Sequence, residues 1–154
     1  MAAKHKAINM NMTSMLAFIL SLILFTATTA VAGGEHKIPT APPEYLDRVN
    51  PVNYEAVDEV FLKSAGKLYK RKCKKCHGDK GDGKGSKAEF FIIKPAAFST
   101  PGYLAQRKDG QLFWIMMNGS ENTEMEPVGP DSDVGLSEED LWNLVVYIRR
   151  TFTN

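Results

Sequence analysis

Residues 73–77 read Cys-Lys-Lys-Cys-His, and no other stretch constrains the chain as much. This C-x-x-C-H pentapeptide is the attachment pattern of a c-type haem. The thiols of Cys73 and Cys76 can add across the two vinyl groups of the macrocycle, one thioether each. Two intervening residues separate the sulfurs enough to reach both vinyls from one turn of chain. The imidazole of His77 then lies beneath the ring and can bind the iron from one side. Other readings of the two cysteines fit less well. A structural zinc site needs four nitrogen or sulfur ligands, whereas the chain has two Cys, and His5 and His36 lie far upstream. A thioredoxin-like dithiol expects a βαβ context, which the sequence lacks. A structural disulfide leaves His77 without a role. There is no internal repeat and no second C-x-x-C-H, so one haem is expected.

The N-terminus reads as an export signal over residues 1–32. Lys4, His5 and Lys6 are a positive start, Met15 to Phe25 is a short apolar core, and Ala30-Val31-Ala32 is an A-x-A-type cleavage site. The apolar core is shorter than the roughly 20 residues a membrane span needs. An uncleaved anchor is the alternative reading, because no charge interrupts Met15 to Ala32. Either reading exports the rest of the chain, and the periplasm is the expected compartment. Cleavage leaves about 122 of the 154 residues, enough for one small domain with a limited core of its own. A buried haem would supply much of the missing apolar volume, so the haem-free chain is expected not to fold stably.

Net charge is +1, but its distribution is uneven. Residues 63–94 hold eleven Lys or Arg against three acids, and residues 101–140 hold nine acids against two cations. Two readings are open: a pair of solvated faces, or a basic patch beside the haem motif that steers an acidic partner.

Residues 33–52 are Pro-rich (Pro39, Pro42, Pro43, Pro51) and read as a linker or an arm wrapped over the surface; residues 53–154 form the domain. A helix starting between Asn50 and Val57 leads into Cys73, with Val57, Phe61, Ala65, Leu68 and Tyr69 as its apolar stripe. Gly66 inside it costs roughly 1 kcal/mol of helix propensity and calls for close approach of another helix. Residues 78–86 read as a plain flexible glycine-rich loop, their spacing fitting neither a calcium loop nor a phosphate cradle. Phe90 to Phe98 is apolar, interrupted by Pro95, and suits an extended pocket lining. A short helix is expected from Ser99 or Thr100 to Gln106. Asp109 is expected to cap a helix over 110–117 that is apolar nearly all round, closed by Asn118-Gly119. Ser137 and Asp140 are close to a capping box, with Leu136 and Leu141 at the staple positions, and start a last helix with Arg149 and Arg150 in its final turn. No convincing run has strand periodicity, so the fold class is all-α.

Haem iron held by one histidine keeps a sixth position, whose occupant decides between electron transfer and ligand chemistry. Met116 and Met117 sit in an apolar helix, where methionine usually fills core. His36 lies in the arm and is a minor candidate for bis-histidine ligation. Met125 stands in a polar loop over residues 119–129, where nothing in the pattern gives it a packing role, which makes it the leading candidate to turn inward. A soft thioether stabilises ferrous iron and raises the potential.

These residues together resemble a class I c-type cytochrome. Ala65-Gly-Lys-Leu-Tyr-Lys-Arg-Lys-Cys73 is similar to that family's first helix, Cys73 to Gly78 to its attachment site, Thr123-Glu-Met125-Glu-Pro127 to its methionine loop, and Leu144-Val-Val-Tyr-Ile148 to its C-terminal helix. Asp109 to Ile115 further resembles single-haem domains found as carriers or as subunits of respiratory complexes. The likeness covers about Val57 to Phe152. It implies a cytochrome c fold of three to five short helices around one covalent haem c, bound through Cys73, Cys76, His77 and Met125, with His77 and Met125 on the iron. It also implies that an aromatic of the last helix packs near Gly66, and that a pocket proline, best matched by Pro95, offers its carbonyl to the His77 ring. Glu126 between Met125 and Pro127 departs from the family's usual Met-Pro.

The leading function is periplasmic one-electron transfer, as a free carrier or as the haem subunit of a respiratory complex, without catalysis by the chain itself. Its partners would be a redox donor and acceptor, at least one docking on the Lys-rich haem side, with a membrane complex compatible; no nucleic-acid partner is expected. Two alternatives are a haem enzyme or gas sensor with an open sixth position, and a thiol-disulfide protein using Cys73 and Cys76.

Overall fold

The last helix is where local sequence chemistry and packing agree best. Ser137 Oγ accepts from the Asp140 N–H at 3.1 Å, and the Ser137 N–H donates in return to the Asp140 carboxylate at 3.2 Å. This reciprocal box satisfies two donors that a helix start leaves unpaired. In the computed structural model, which describes residues 37–153, the chain has five α-helices and no strand among those residues. They are α1 (Pro43–Leu46), α2 (Glu59–Lys72), α3 (Lys74–His77), α4 (Asp109–Asn118) and α5 (Glu138–Phe152). The segment expected to be an export signal, its expected cleavage site and His36 lie outside the described residues.

Helix α2 starts at Glu59, later than the first available cap. Residues Tyr54–Ala56 form a short 3₁₀ turn capped by Asn53 instead, and the Asp58 carboxylate accepts the Phe61 N–H at 2.7 Å. Val57 therefore falls before the helix. Ala65, Gly66, Leu68 and Tyr69 are its buried residues.

Helix α5 packs against both α2 and α4, and its Leu141, Leu144, Val145 and Val146 are fully buried. Where α5 crosses α2, a Cβ on Gly66 would lie 2.9 Å from Tyr147 Cε2. Glycine is thus the residue that lets these helices meet, in return for its poor helix propensity. Tyr69 packs at 5.4 Å from Tyr147 and 5.2 Å from Phe152, and its hydroxyl donates to the Gly78 carbonyl at 2.8 Å. One side chain so ties α2 to α5 and to the chain just after the haem motif.

Three expectations need correction. The glycine-rich loop is not a plain flexible one. Gly83 N–H donates to the His77 carbonyl at 2.9 Å and Gly85 N–H to the Cys76 carbonyl at 3.1 Å. Gly81, at φ 62°, lies against the Phe152 ring, where a Cβ would meet Phe152 Cγ at 2.7 Å. Residues 100–107 form successive turns and no helix. Asp109 does not cap α4; its carboxylate accepts from Tyr54 Oη at 2.7 Å and Asn50 Nδ2 at 3.0 Å, and it is ion-paired with Arg149 Nε. Arg149 also donates to the Leu104 carbonyl at 2.9 Å and to the Arg107 carbonyl. A buried or half-buried charge needs such partners, and here they outcompete the cap.

Residues 37–52 lie along α4. Gln111, buried within that helix, accepts the Ala41 N–H at 2.8 Å and donates to the Pro39 carbonyl at 3.0 Å. Arg48 covers the Phe113 ring at 4.6 Å and pairs with Glu138 at 2.7 Å. Helix α4 is accordingly covered on more than one side, as its all-round apolar sequence demands.

Candidate haem-binding site

The haem motif begins as α2 ends. Cys73 closes α2, its N–H bonded to the Tyr69 carbonyl at 2.8 Å, and the single turn of α3 brings His77 round through a bond from its N–H to the Cys73 carbonyl at 2.9 Å. Gly78, at φ 81°, ends that turn. The imidazole of His77 is buried and stacks on Phe98 at 4.6 Å, with 16° between the planes. Phe98 stacks in turn on Phe152 at 6.2 Å, so the end of α5 supports the His77 ring from behind.

His77 Nδ1 lies 3.0 Å from the Ala96 carbonyl oxygen. A carbonyl only accepts, so Nδ1 carries the proton and Nε2 keeps its lone pair. Burial lowers the His77 pKa, with the Ala96 bond opposing it. With Nδ1 bonded to Ala96, the neutral ring presents its lone pair on Nε2, the form in which imidazole ligates iron. The expected acceptor, the Pro95 carbonyl, turns instead toward Gly83, where a Cβ would lie 2.6 Å from Pro95 O.

Cys76, His77 and Met125 line one cleft of about 970 Å³, counting the open solvent at its mouth. Its walls are mainly apolar: Phe91, Ile93, Pro95 and Ala96 come from the extended stretch, Leu112, Ile115 and Met116 from α4, and Ile148 from α5. An apolar lining with a few polar groups is the usual character of a cofactor site. Cys73 is set back from the cleft and packs against the core. Both thiols are free. Burial pushes the Cys73 thiol up to about 12, and burial also raises Cys76. Reactive redox dithiols depend on lowered values, so this environment speaks against thiol-disulfide exchange. Among the described residues no three His, Cys, Asp or Glu side chains converge on a metal-sized site.

Met125 is half-buried, and its loop is fixed by its own backbone. The Ser120 N–H donates to the Met125 carbonyl at 2.7 Å, the Met125 N–H to Thr123 Oγ1 at 3.1 Å, and the Val128 N–H to the Met116 carbonyl at 2.9 Å. A Cβ on Gly119 would lie 2.5 Å from Met125 O and 2.9 Å from Pro127 Cδ. Pro127 thus closes the loop despite the intervening Glu126. Met116 is buried and also lines the cleft, whereas Met117 packs against Gly129.

Ile38 from the arm, Lys94, Arg107 and Gln111 are among the further residues that reach the cleft. Gln111 had a sequence signal, a lone amide inside an apolar helix. Ile38 had none, because the arm's course over the domain is set by tertiary contacts.

The residues present fit a c-type haem: an apolar slot, two unoxidised thiols one turn apart, and an imidazole with its tautomer fixed. An all-helical fold with C-x-x-C-H entering such a slot defines a class I c-type cytochrome. Residues 62–148 match the family described as cytochrome c oxidase, cbb3-type, subunit III, and the chain belongs to that family. Membership implies a covalently held haem c and haem-based electron transfer. Among solved structures, a chain of the Kuenenia stuttgartiensis reducing HAO-like protein complex is similar, at 22% identity and a TM-score of 0.49. That likeness covers 66% of this chain and 50% of the other, so the present chain spans about half its length. Comparison with curated proteins gives no match.

Proposed function

We propose that the chain is a one-electron carrier with a single haem c joined to Cys73 and Cys76 and bound axially by His77 and Met125. It works in the periplasm, as a soluble carrier or as the haem subunit of a respiratory complex. The carrying observation is that His77 and Met125, 48 positions apart in the sequence, line the same apolar cleft as Cys76. The bound haem supplies a reversible Fe(III)/Fe(II) couple. The chain's own residues do the rest. Ala96 holds the His77 ring in one tautomer, the Thr123 and Ser120 bonds hold the Met125 loop, and the apolar walls keep water from the iron. Two fixed protein ligands change little between oxidation states, which favours fast transfer, and thioether ligation favours the ferrous form.

The test is the absorption spectrum of protein made in a host that matures c-type cytochromes. Ferric protein with a far-red sulfur-to-iron charge-transfer band, lost in Met125→Ala, supports the reading. Prompt binding of carbon monoxide by the reduced wild type contradicts it.

A further inference from the structure

Residues 90–93 form one wall of the cleft, and their side chains alternate. Phe91 and Ile93 line the cleft, while Phe90 and Ile92 on the other face are 76% and 95% exposed. Two large apolar side chains this exposed, side by side, are not explained by the core. Hydrogen bonds gather the segment that presents them. Lys94 Nζ donates to the carbonyls of Phe91 at 2.8 Å, Ala88 at 3.1 Å and Glu89 at 3.3 Å, folding residues 88–94 into a tight knuckle. The knuckle is tied to the haem motif: the Lys87 N–H donates to the Lys75 carbonyl at 2.8 Å and the Gly85 N–H to the Cys76 carbonyl at 3.1 Å. Lys75, Lys84 and Lys87, all exposed, lie along the segments that these bonds join. An exposed apolar pair on the wall of the cofactor cleft, in a segment bonded to chain that carries exposed lysines, has the composition of a contact surface.

We propose that Phe90 and Ile92 are the apolar centre of the docking surface for the redox partner, a protein presenting carboxylates around an apolar spot. This rests on the electron-carrier reading above. The lysines steer the encounter, and the eleven cations against three acids over residues 63–94 fix the partner's sign. Phe90 and Ile92 hold the complex once formed, so they act on its lifetime more than on its encounter rate. A partner seated there is separated from the cleft by a single layer of chain.

The test uses the haem-loaded full chain and its Phe90→Ser/Ile92→Ser variant, with reduced acidic blue-copper protein as donor. One electron passes from Cu(I) to Fe(III), and no bond or proton moves. Ferrocyanide, too small to need a docking surface, is the control. The double variant is expected to lower the second-order rate with the copper protein by roughly tenfold or more. Its rate with ferrocyanide and the decline of its rate with salt should match the wild type. Lys84→Glu/Lys87→Glu should instead weaken the salt dependence. A wild-type rate for the double variant with the copper protein overturns the proposal. So does wild-type protein that reacts with ferrocyanide and ignores the copper protein, or that pellets with anionic phosphatidylglycerol vesicles through Phe90 and Ile92. Failure of every form with both donors would instead overturn the electron-carrier reading itself.

Discussion

His77 Nδ1 and the carbonyl of Ala96 meet at 3.0 Å, across nineteen residues of chain. The acceptor is held in place by the next turn of backbone, since Gly83, at φ 70°, is pressed against the adjoining Pro95 carbonyl. A bond of this kind, from the ring nitrogen that does not face the iron, fixes the tautomer and raises the basicity of a ligating imidazole.

Gly83→Ala should disturb that bond. The new Cβ would lie 2.6 Å from Pro95 O, and the backbone there is left-handed. A cost of about 1–3 kcal/mol is expected in denaturant unfolding of the haem-loaded protein. The midpoint potential should rise, because a less basic imidazole stabilises ferric iron less. An unchanged potential in a destabilised variant would show that the Ala96 bond does not tune the iron.

The contact between Gly66 and Tyr147 predicts a coupled pair. Gly66→Val should destabilise by about 1–3 kcal/mol through overpacking. Adding Tyr147→Ala should return part of that loss, with a coupling of roughly 0.5–3 kcal/mol. Strict additivity in thermal unfolding would mean that α2 and α5 do not meet there.

Asp109 joins the arm, α4 and α5 through Asn50, Tyr54 and Arg149. Asp109→Ala should cost about 2 kcal/mol, since charged hydrogen bonds contribute roughly 1.5–3 kcal/mol. Burial, then the bond to Asp109, raises the Tyr54 pKa above its ordinary value. The folded state therefore favours the protonated phenol. That contribution is complete below the unfolded value of about 10 and is lost as pH rises beyond it. Tyr54→Phe should be less stable at neutral pH and lose less stability between neutral and strongly alkaline pH. A steeper alkaline loss in the variant would contradict this.

Phe152 closes the stack behind His77, touching Tyr69, Phe98 and Gly81. Phe152→Ala should cost about 3–5 kcal/mol. The haem-free wild type is expected to lack a native-like near-UV spectrum, because the cleft walls then lose the group they pack against. A sharp near-UV spectrum from haem-free protein would refute that dependence.

How far these relationships were legible in the sequence depends on their range. The capping box at Ser137 and the Asn118-Gly119 stop rest on residues within a few positions of each other, and those readings match the structure. The need for a partner at Gly66 was legible too, because a glycine inside a helix pays a local cost that only a distant contact explains. Asp109 was misread because its carboxylate answers Arg149, forty positions away, and no local pattern carries that charge balance. The acceptor for His77 was placed one residue early, at Pro95, since the contact of Pro95 with Gly83 decides which carbonyl turns inward. The glycine-rich loop was read as flexible because composition shows glycine's freedom and not the ring of Phe152 that demands it. At the site, C-x-x-C-H was plain from spacing alone, whereas Ile38 and Arg107 reach the cleft only through the course of the folded chain.

The most direct measurement of the central claim is the near-infrared and visible spectrum of haem-loaded wild type and Met125→Ala, each oxidised, reduced, and reduced under carbon monoxide. The account predicts a covalent haem, a far-red charge-transfer band in the wild type that Met125→Ala loses, and carbon monoxide binding by the variant alone. A wild type that is high-spin or binds carbon monoxide at once would contradict it and give the open-iron function precedence.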